Sequence, residues 1–85
     1  MMNLHEEVNH IETHHDLAAF VEALKKDFTD HPSYWENQDL PTYLEALAAW
    51  LTDMDGYYKN RGENIPDSPS WRTIGELLLA AKIYE

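Results

Sequence analysis

Hydrophobic positions recur at helical spacing in four stretches of this chain. The longest runs from Leu40 to Met54, LPTYLEALAAWLTDM, where Leu40, Tyr43, Leu44, Leu47, Trp50, Leu51 and Met54 share the period. Its polar residues, Thr42, Glu45 and Thr52, fall on one narrow stripe with Ala49. A helix apolar over most of its circumference must be covered from several sides, so the pattern predicts the central helix of a small bundle. Pro41 suits its first turn, and the helix is expected to end at Asp53 to Gly56, with Gly56 as a left-handed cap.

Upstream, Leu17, Phe20, Val21, Leu24 and Phe28 predict a first long helix over about 14–29, started by a capping box at Thr13 and Asp16. Glu22 and Lys26 have the spacing of an ion pair on its surface. Asp30, His31 and Pro32 stop it. The link DHPSYWENQD follows, in which Trp35 is expected to fold back and cap the bundle. Leu4, Val8 and Ile11 predict a short helix at the N-terminus. Residues 57–67, YYKNRGENIPD, read as an irregular connection, since Gly62 and Pro66 interrupt regular structure. Ser68 is the expected cap of a last helix with Pro69 at its first position and Trp71, Ile74, Leu77, Leu78, Ala81 and Tyr84 on its apolar face. The expected fold is all-α: one domain over residues 1–85, a small helical bundle of three long helices plus a short N-terminal helix.

Charge changes this picture most. Sixteen acidic residues face six basic ones, a formal net charge of −10. No Lys or Arg occurs before Lys25 or between Asp27 and Tyr58. Such a surface repels phosphate backbones and anionic lipid, which argues against nucleic-acid or membrane partners and favours a basic protein. There is no cysteine, so neither a disulfide nor a thiolate metal site is available, and no run is apolar enough to span a bilayer. The acidic N-terminus does not resemble a secretory signal, and a cytoplasmic location is expected.

Candidate chemistry is sparse. His5, His10, His14, His15 and His31 all lie in the first thirty-one residues. His10 and His14 have two-ligand spacing, but the cap at Thr13 separates them, and H-x-E-x-H is not the zinc-peptidase register. There is no nucleophile elbow, Gly-rich phosphate loop or Cys–His pair. The expectation is therefore no enzyme, no cofactor and no metal. The better candidate is the segment 53–68, in which Tyr57 and Tyr58 cannot both enter one core. An exposed Tyr rimmed by Asp53, Asp55, Glu63 and Asp67 has the makings of an interface hot spot, with Trp35 as a further partner-binding candidate.

Two resemblances attach to these residues. Trp35-Glu36-Asn37, LPTYLEALAAW at 40–50, DMDGYYKNRG at 53–62 and the segment from Pro69 to Glu85 resemble a family of small uncharacterised acidic bacterial proteins, a domain of unknown function, over roughly 13–85. The Tyr57-Tyr58 pair followed by Asp67-Ser68-Pro69-Ser70 resembles the immunity proteins of nuclease colicins, four-helix bundles with a Tyr pair on a short third helix. That resemblance implies a partner-binding role for Tyr57 and Tyr58, with Asp55 as an acidic neighbour. The expected function is a non-enzymatic, immunity- or inhibitor-like domain with a basic protein partner. The alternatives are a structural module that self-associates through Tyr34 and Trp35, and a His-rich metal-binding protein.

Overall fold

The structure, a computed structural model, describes residues 3–63 and 69–84. The chain runs through α1 (Leu4–Glu7), a 3-10 turn (Val8–His10), α2 (His14–Asp30), a second 3-10 turn (Pro32–Tyr34), α3 (Leu40–Asn60) and α4 (Trp71–Ala81). The all-α expectation holds, with the short N-terminal helix in place. No helix among the described residues is long and apolar enough to cross a membrane.

Local chemistry explains the helix starts. Thr13 accepts from the Asp16 N–H while the Asp16 carboxylate accepts from Thr13 and Glu12, closing the expected capping box. Those backbone donors hold the Asp16 carboxyl below its ordinary value. Asp39 caps α3 by accepting from the Thr42 N–H, with Pro41 in the first turn. α4 differs from expectation: its cap is Ser70, which accepts from the Thr73 N–H, and Pro69 precedes the helix. Ser68 lies outside the described residues. On α2 the surface ion pair joins Lys26 to Asp30 (2.8 Å) rather than to Glu22, which places the cation one turn before the acid at the helix end.

Two larger corrections concern α3. It does not stop at Gly56 but continues to Asn60, and the left-handed glycine is Gly62, with φ 70°. Interior glycine costs a helix about 1 kcal/mol. Packing of Tyr57 against Trp50, ring centroids 5.2 Å apart, offsets that cost and carries the helix through. Nor is α3 the covered centre. α4 packs against both α2 and α3, which make few contacts with each other. The molecular extents, 37 × 27 × 18 Å, suit a row of three helices spaced about 8–10 Å apart with α4 in the middle.

The main core lies on the α2 side of that row: Val8, Ile11, Phe20, Leu24, Trp35 and Leu79, with Leu4, Leu17, Phe28, Tyr43 and Leu78 packed around them. Val8 and Ile11 reach α4 because residue 75 is Gly; a Cβ there would stand 2.6 Å from Ile11 Cδ1 and 3.3 Å from Val8 Cγ2.

The 35–37 loop locks α2 to the end of α4. Asn37 is buried, and its amide donates to the carbonyls of Ala81 and Tyr84, both at 2.8 Å. The Glu36 and Asn37 N–H groups donate to the Lys82 carbonyl. Carbonyls that a helix end leaves unpaired are thus satisfied from a segment far away in sequence. Trp35, 7% exposed, donates its indole N–H to Asp27 (2.8 Å), which also pairs with Lys82 (3.0 Å). Burial alone would raise the Asp27 carboxyl; the hydrogen bonds from Lys82 and Trp35 and the Lys82 charge outweigh it, so the group sits below its ordinary value.

The unfolded chain therefore takes up this proton more readily than the folded one. The Asp27 contribution is complete above the ordinary carboxylate value of 3.8 and is lost as pH falls toward the depressed folded value. Asp27→Asn should lower the melting temperature at neutral pH, and its gap to wild type should narrow as pH falls from about 5 to below the ordinary carboxylate value of 3.8. Melting curves followed by circular dichroism across that range check it; a gap that stays constant would show that the Asp27 charge is not what ties the helices.

Candidate functional site

Of the candidates in the 53–68 segment, Asp53, Asp55, Tyr57 and Tyr58 lie on the C-terminal half of α3. Trp50 meets the ring of Tyr84 beyond α4, Tyr57 packs on Trp50, and Tyr58 lies near Glu76 of α4. Met54 is buried, Tyr58 half-buried, and Tyr57 the more exposed of the pair at 36%. Their rings stand edge to face, centroids 5.3 Å apart, so one packs and the other covers it. Arg61 lies over the Tyr57 ring, 5.2 Å from its centroid, and donates to the Tyr57 hydroxyl. Both the face and the polar tip of Tyr57 are therefore already engaged. Burial pushes the Tyr58 hydroxyl up, with the charge of Glu76 adding to it.

The acidic rim is partly committed as well. Asp53 accepts from the Tyr84 hydroxyl, whose ring stands edge-on to Trp50 at 5.2 Å. This hydrogen bond pushes the Tyr84 hydroxyl up. Tyr84 lies beyond the end of α4 rather than on its apolar face. Glu63 lies 3.7 Å from Arg61, while Asp55 is exposed. Asp67 lies outside the described residues. Trp35 is packed in the core and not on an outer face beside the exposed Tyr34, so the two do not form the self-association patch expected of them. Tyr34 is exposed and stacks on His31, centroids 5.0 Å apart. Tyr57 and Tyr58 occupy the last turns of a 21-residue helix, not a short helix of their own, which departs from the colicin immunity pattern.

A second surface, not expected from the sequence, lies on the other half of α3. Leu40 is 67% exposed, Leu44 50% and Leu51 48%. At 100° per residue these three fall within one narrow face, adjoining the half-buried Leu47. At the Leu40 end of this row, where α2 and α3 stand apart, lies an open channel of about 370 Å³. Val21, Leu24 and Phe28 wall it from α2, Leu40 and Tyr43 from α3, and Leu78 and Trp35 lie at its floor. Tyr43 donates its hydroxyl to the Leu78 carbonyl (2.7 Å), so its polar tip is satisfied and its ring is left as apolar wall; burial pushes that hydroxyl up. Val21, on the α2 wall, is 44% exposed. The signal was present as the unusual apolar breadth of 40–54, but periodicity alone assigned that breadth to covered core.

The histidines do not converge. His14 lies against His15, centroids 4.1 Å apart, and 6.0 Å from Trp71. Among the described residues no three His, Asp or Glu side chains gather where they could hold a metal.

Residues 13–85 match a protein family described as a family of unknown function (DUF7660). No curated protein and no solved structure matches the chain.

Proposed function

For a chain that belongs to the DUF7660 family of unknown function, we propose the role of a non-enzymatic protein-binding domain with a basic protein partner. The observation that carries this reading is the uncovered leucine row of α3 on a strongly acidic chain. A contiguous apolar surface of this kind, rimmed by charge, marks an interaction site. From Leu40 to Tyr58, α3 carries Glu45, Asp53 and Asp55 and no Lys or Arg. That field attracts a cationic partner and speeds its encounter, while the leucines supply the area that holds it. Inhibition of a basic toxin or nuclease is the form of this role to which the immunity-protein resemblance points.

The test is affinity capture from native lysate at low and at moderate salt, followed by association kinetics with the captured protein after purification. A basic partner released by added salt is expected. Glu45→Gln with Asp55→Asn should slow association by roughly threefold to tenfold and flatten its salt dependence, with dissociation nearly unchanged. A partner that is not basic, or association indifferent to salt and to those charges, overturns the reading.

A further inference from the structure

We propose that the channel between α2 and α3 seats a single amphipathic helix of the partner, its apolar side on the leucine row and its polar side basic. The inference rests on the protein-binding reading and names the element that binds. Three features of the structure converge on it.

The first is topology. α4 carries α2 on one flank and α3 on the other, and the channel that the two outer helices wall over Leu78 of α4 holds no further helix among the described residues. Two ridged helix surfaces with an apolar floor offer the seat that a further helix takes in a helical bundle. The second is dimension. Leu40 to Leu51 is twelve residues, eleven steps or about 16 Å along the axis, which a partner helix of three to four turns covers. Leu40, Leu44, Leu47 and Leu51 follow the spacing of a helix–helix seam. Walls of Val21, Phe28 and Tyr43 leave room for apolar side chains inserted from above.

The third is charge, which chooses among occupants. Asp39 lines the channel, and Thr42 holds its carboxyl below the ordinary value through a side-chain and a backbone hydrogen bond, so it is ionised at neutral pH. In the lining itself Asp39 is matched by Lys25 on the α2 side, so the preference comes from the field of a chain of net charge −10, to which the exposed Glu45 and Asp55 of α3 contribute. A second copy of this chain brings another −10 of charge to the same face and is repelled; a helix with lysine or arginine along its polar side is drawn in.

The experiment titrates the isotopically labelled full chain with a synthetic fifteen-residue peptide of leucine and lysine in amphipathic helical order. A glutamate-for-lysine version and a scrambled version serve as comparisons, and backbone amide shifts are the readout. The lysine peptide is expected to move the resonances of Val21, Leu24, Phe28, Leu40 and Leu44, to gain helicity, and to bind more weakly as salt rises. Leu44→Glu, a change at a half-exposed position with the fold verified by circular dichroism, should weaken the peptide at least tenfold, roughly 1.4 kcal/mol or more. That variant is more acidic than wild type, so attraction by charge alone would make the peptide bind more tightly, which overturns the proposal. Shifts centred on Tyr57, Tyr58 and Glu63 also overturn it, while leaving a basic partner in place at the other end of α3. Equal binding of the glutamate peptide removes the charge preference. A sedimenting dimer that Leu44→Glu turns into monomer assigns the channel to a second copy instead.

Discussion

Trp35→Ala is expected to remove about 3–5 kcal/mol of folding stability, the cost of deleting a large aromatic from a packed core. A domain of this size has on the order of 5–10 kcal/mol in total, so the variant should sit close to unfolding, its midpoint lowered by roughly 15–30 °C. The magnitude follows from how many elements meet at one side chain. The ring stands edge-on to Phe28 of α2, centroids 5.3 Å apart, and 5.9 Å from Tyr43 of α3. Lys82, just past α4, lies over it at 5.6 Å. Its indole N–H meets Asp27. Trp35→Phe separates the contributions, because it keeps an aromatic ring and loses that donor to a partly buried carboxylate. It should cost about 1.5–3 kcal/mol, the range for a hydrogen bond to a charged group. Urea unfolding of both variants decides between the two contributions. If the Phe and Ala variants are equally unstable, the hydrogen bond and not the packed ring is what holds the three helices. Since Trp35 also forms part of the channel floor, the leucine–lysine peptide should bind Trp35→Phe more nearly like wild type than any other variant of this position.

Gly75→Leu carries the next largest expected loss, about 3 kcal/mol or more, because its side chain must displace the buried Val8 and Ile11 side chains that pack over residue 75. The clash is specific. A Cβ on residue 75 meets Ile11 Cδ1 at 2.6 Å and Val8 Cγ2 at 3.3 Å, both on buried residues of the N-terminal segment. Gly75→Ala tests this more finely, since two effects of opposite sign compete. Helix propensity favours Ala over Gly by about 1 kcal/mol, while overpacking costs about 1–3 kcal/mol. The contact wins, and a modest net loss is expected. Ile11→Val deletes the offending Cδ1 and leaves a branched side chain, so the Gly75→Ala/Ile11→Val double variant should be more stable than the two single losses predict when added, by about 1 kcal/mol. A thermal-melt double-mutant cycle reads this out. Additive losses would mean that residues 8–11 do not press on α4 as described. The result also bears on the domain's extent: the family match begins at residue 13, yet Val8 and Ile11 supply core side chains ahead of it.

Much of the architecture is legible in local pattern. The Thr13–Asp16 box, the stop at His31 and Pro32, Pro41 in a first turn and the four apolar periodicities each follow from a few neighbouring residues, and each appears in the structure. Other elements read differently because distant contacts outweigh a local rule. Gly56 reads as a stop, but Trp50 and Tyr57 pack across it. Ser68 and Ser70 both have the chemistry of a cap on the two sides of Pro69, and Ser70 has Thr73 at the right distance. Asn37 carries no helix signal, yet its amide bonds to residues 44 and 47 positions away hold the end of α4. For the candidate site, the structure puts Tyr57 outward and Tyr58 inward on the last turns of α3, where an irregular connection was expected. The channel was not anticipated.

The sequence by itself determined that the chain is helical, acidic and without thiols, and that each long helix has a broad apolar face. Only the tertiary structure decided which of those faces is covered. Periodicity records that a surface is apolar; it carries no information about which neighbour arrives to bury it. Here the eleven-residue α4, flanked on both sides, takes the middle of the row. The twenty-one-residue α3, the more apolar to read, lies at one edge of that row, with Leu40, Leu44 and Leu51 exposed and a channel open at the Leu40 end that no helix among the described residues fills.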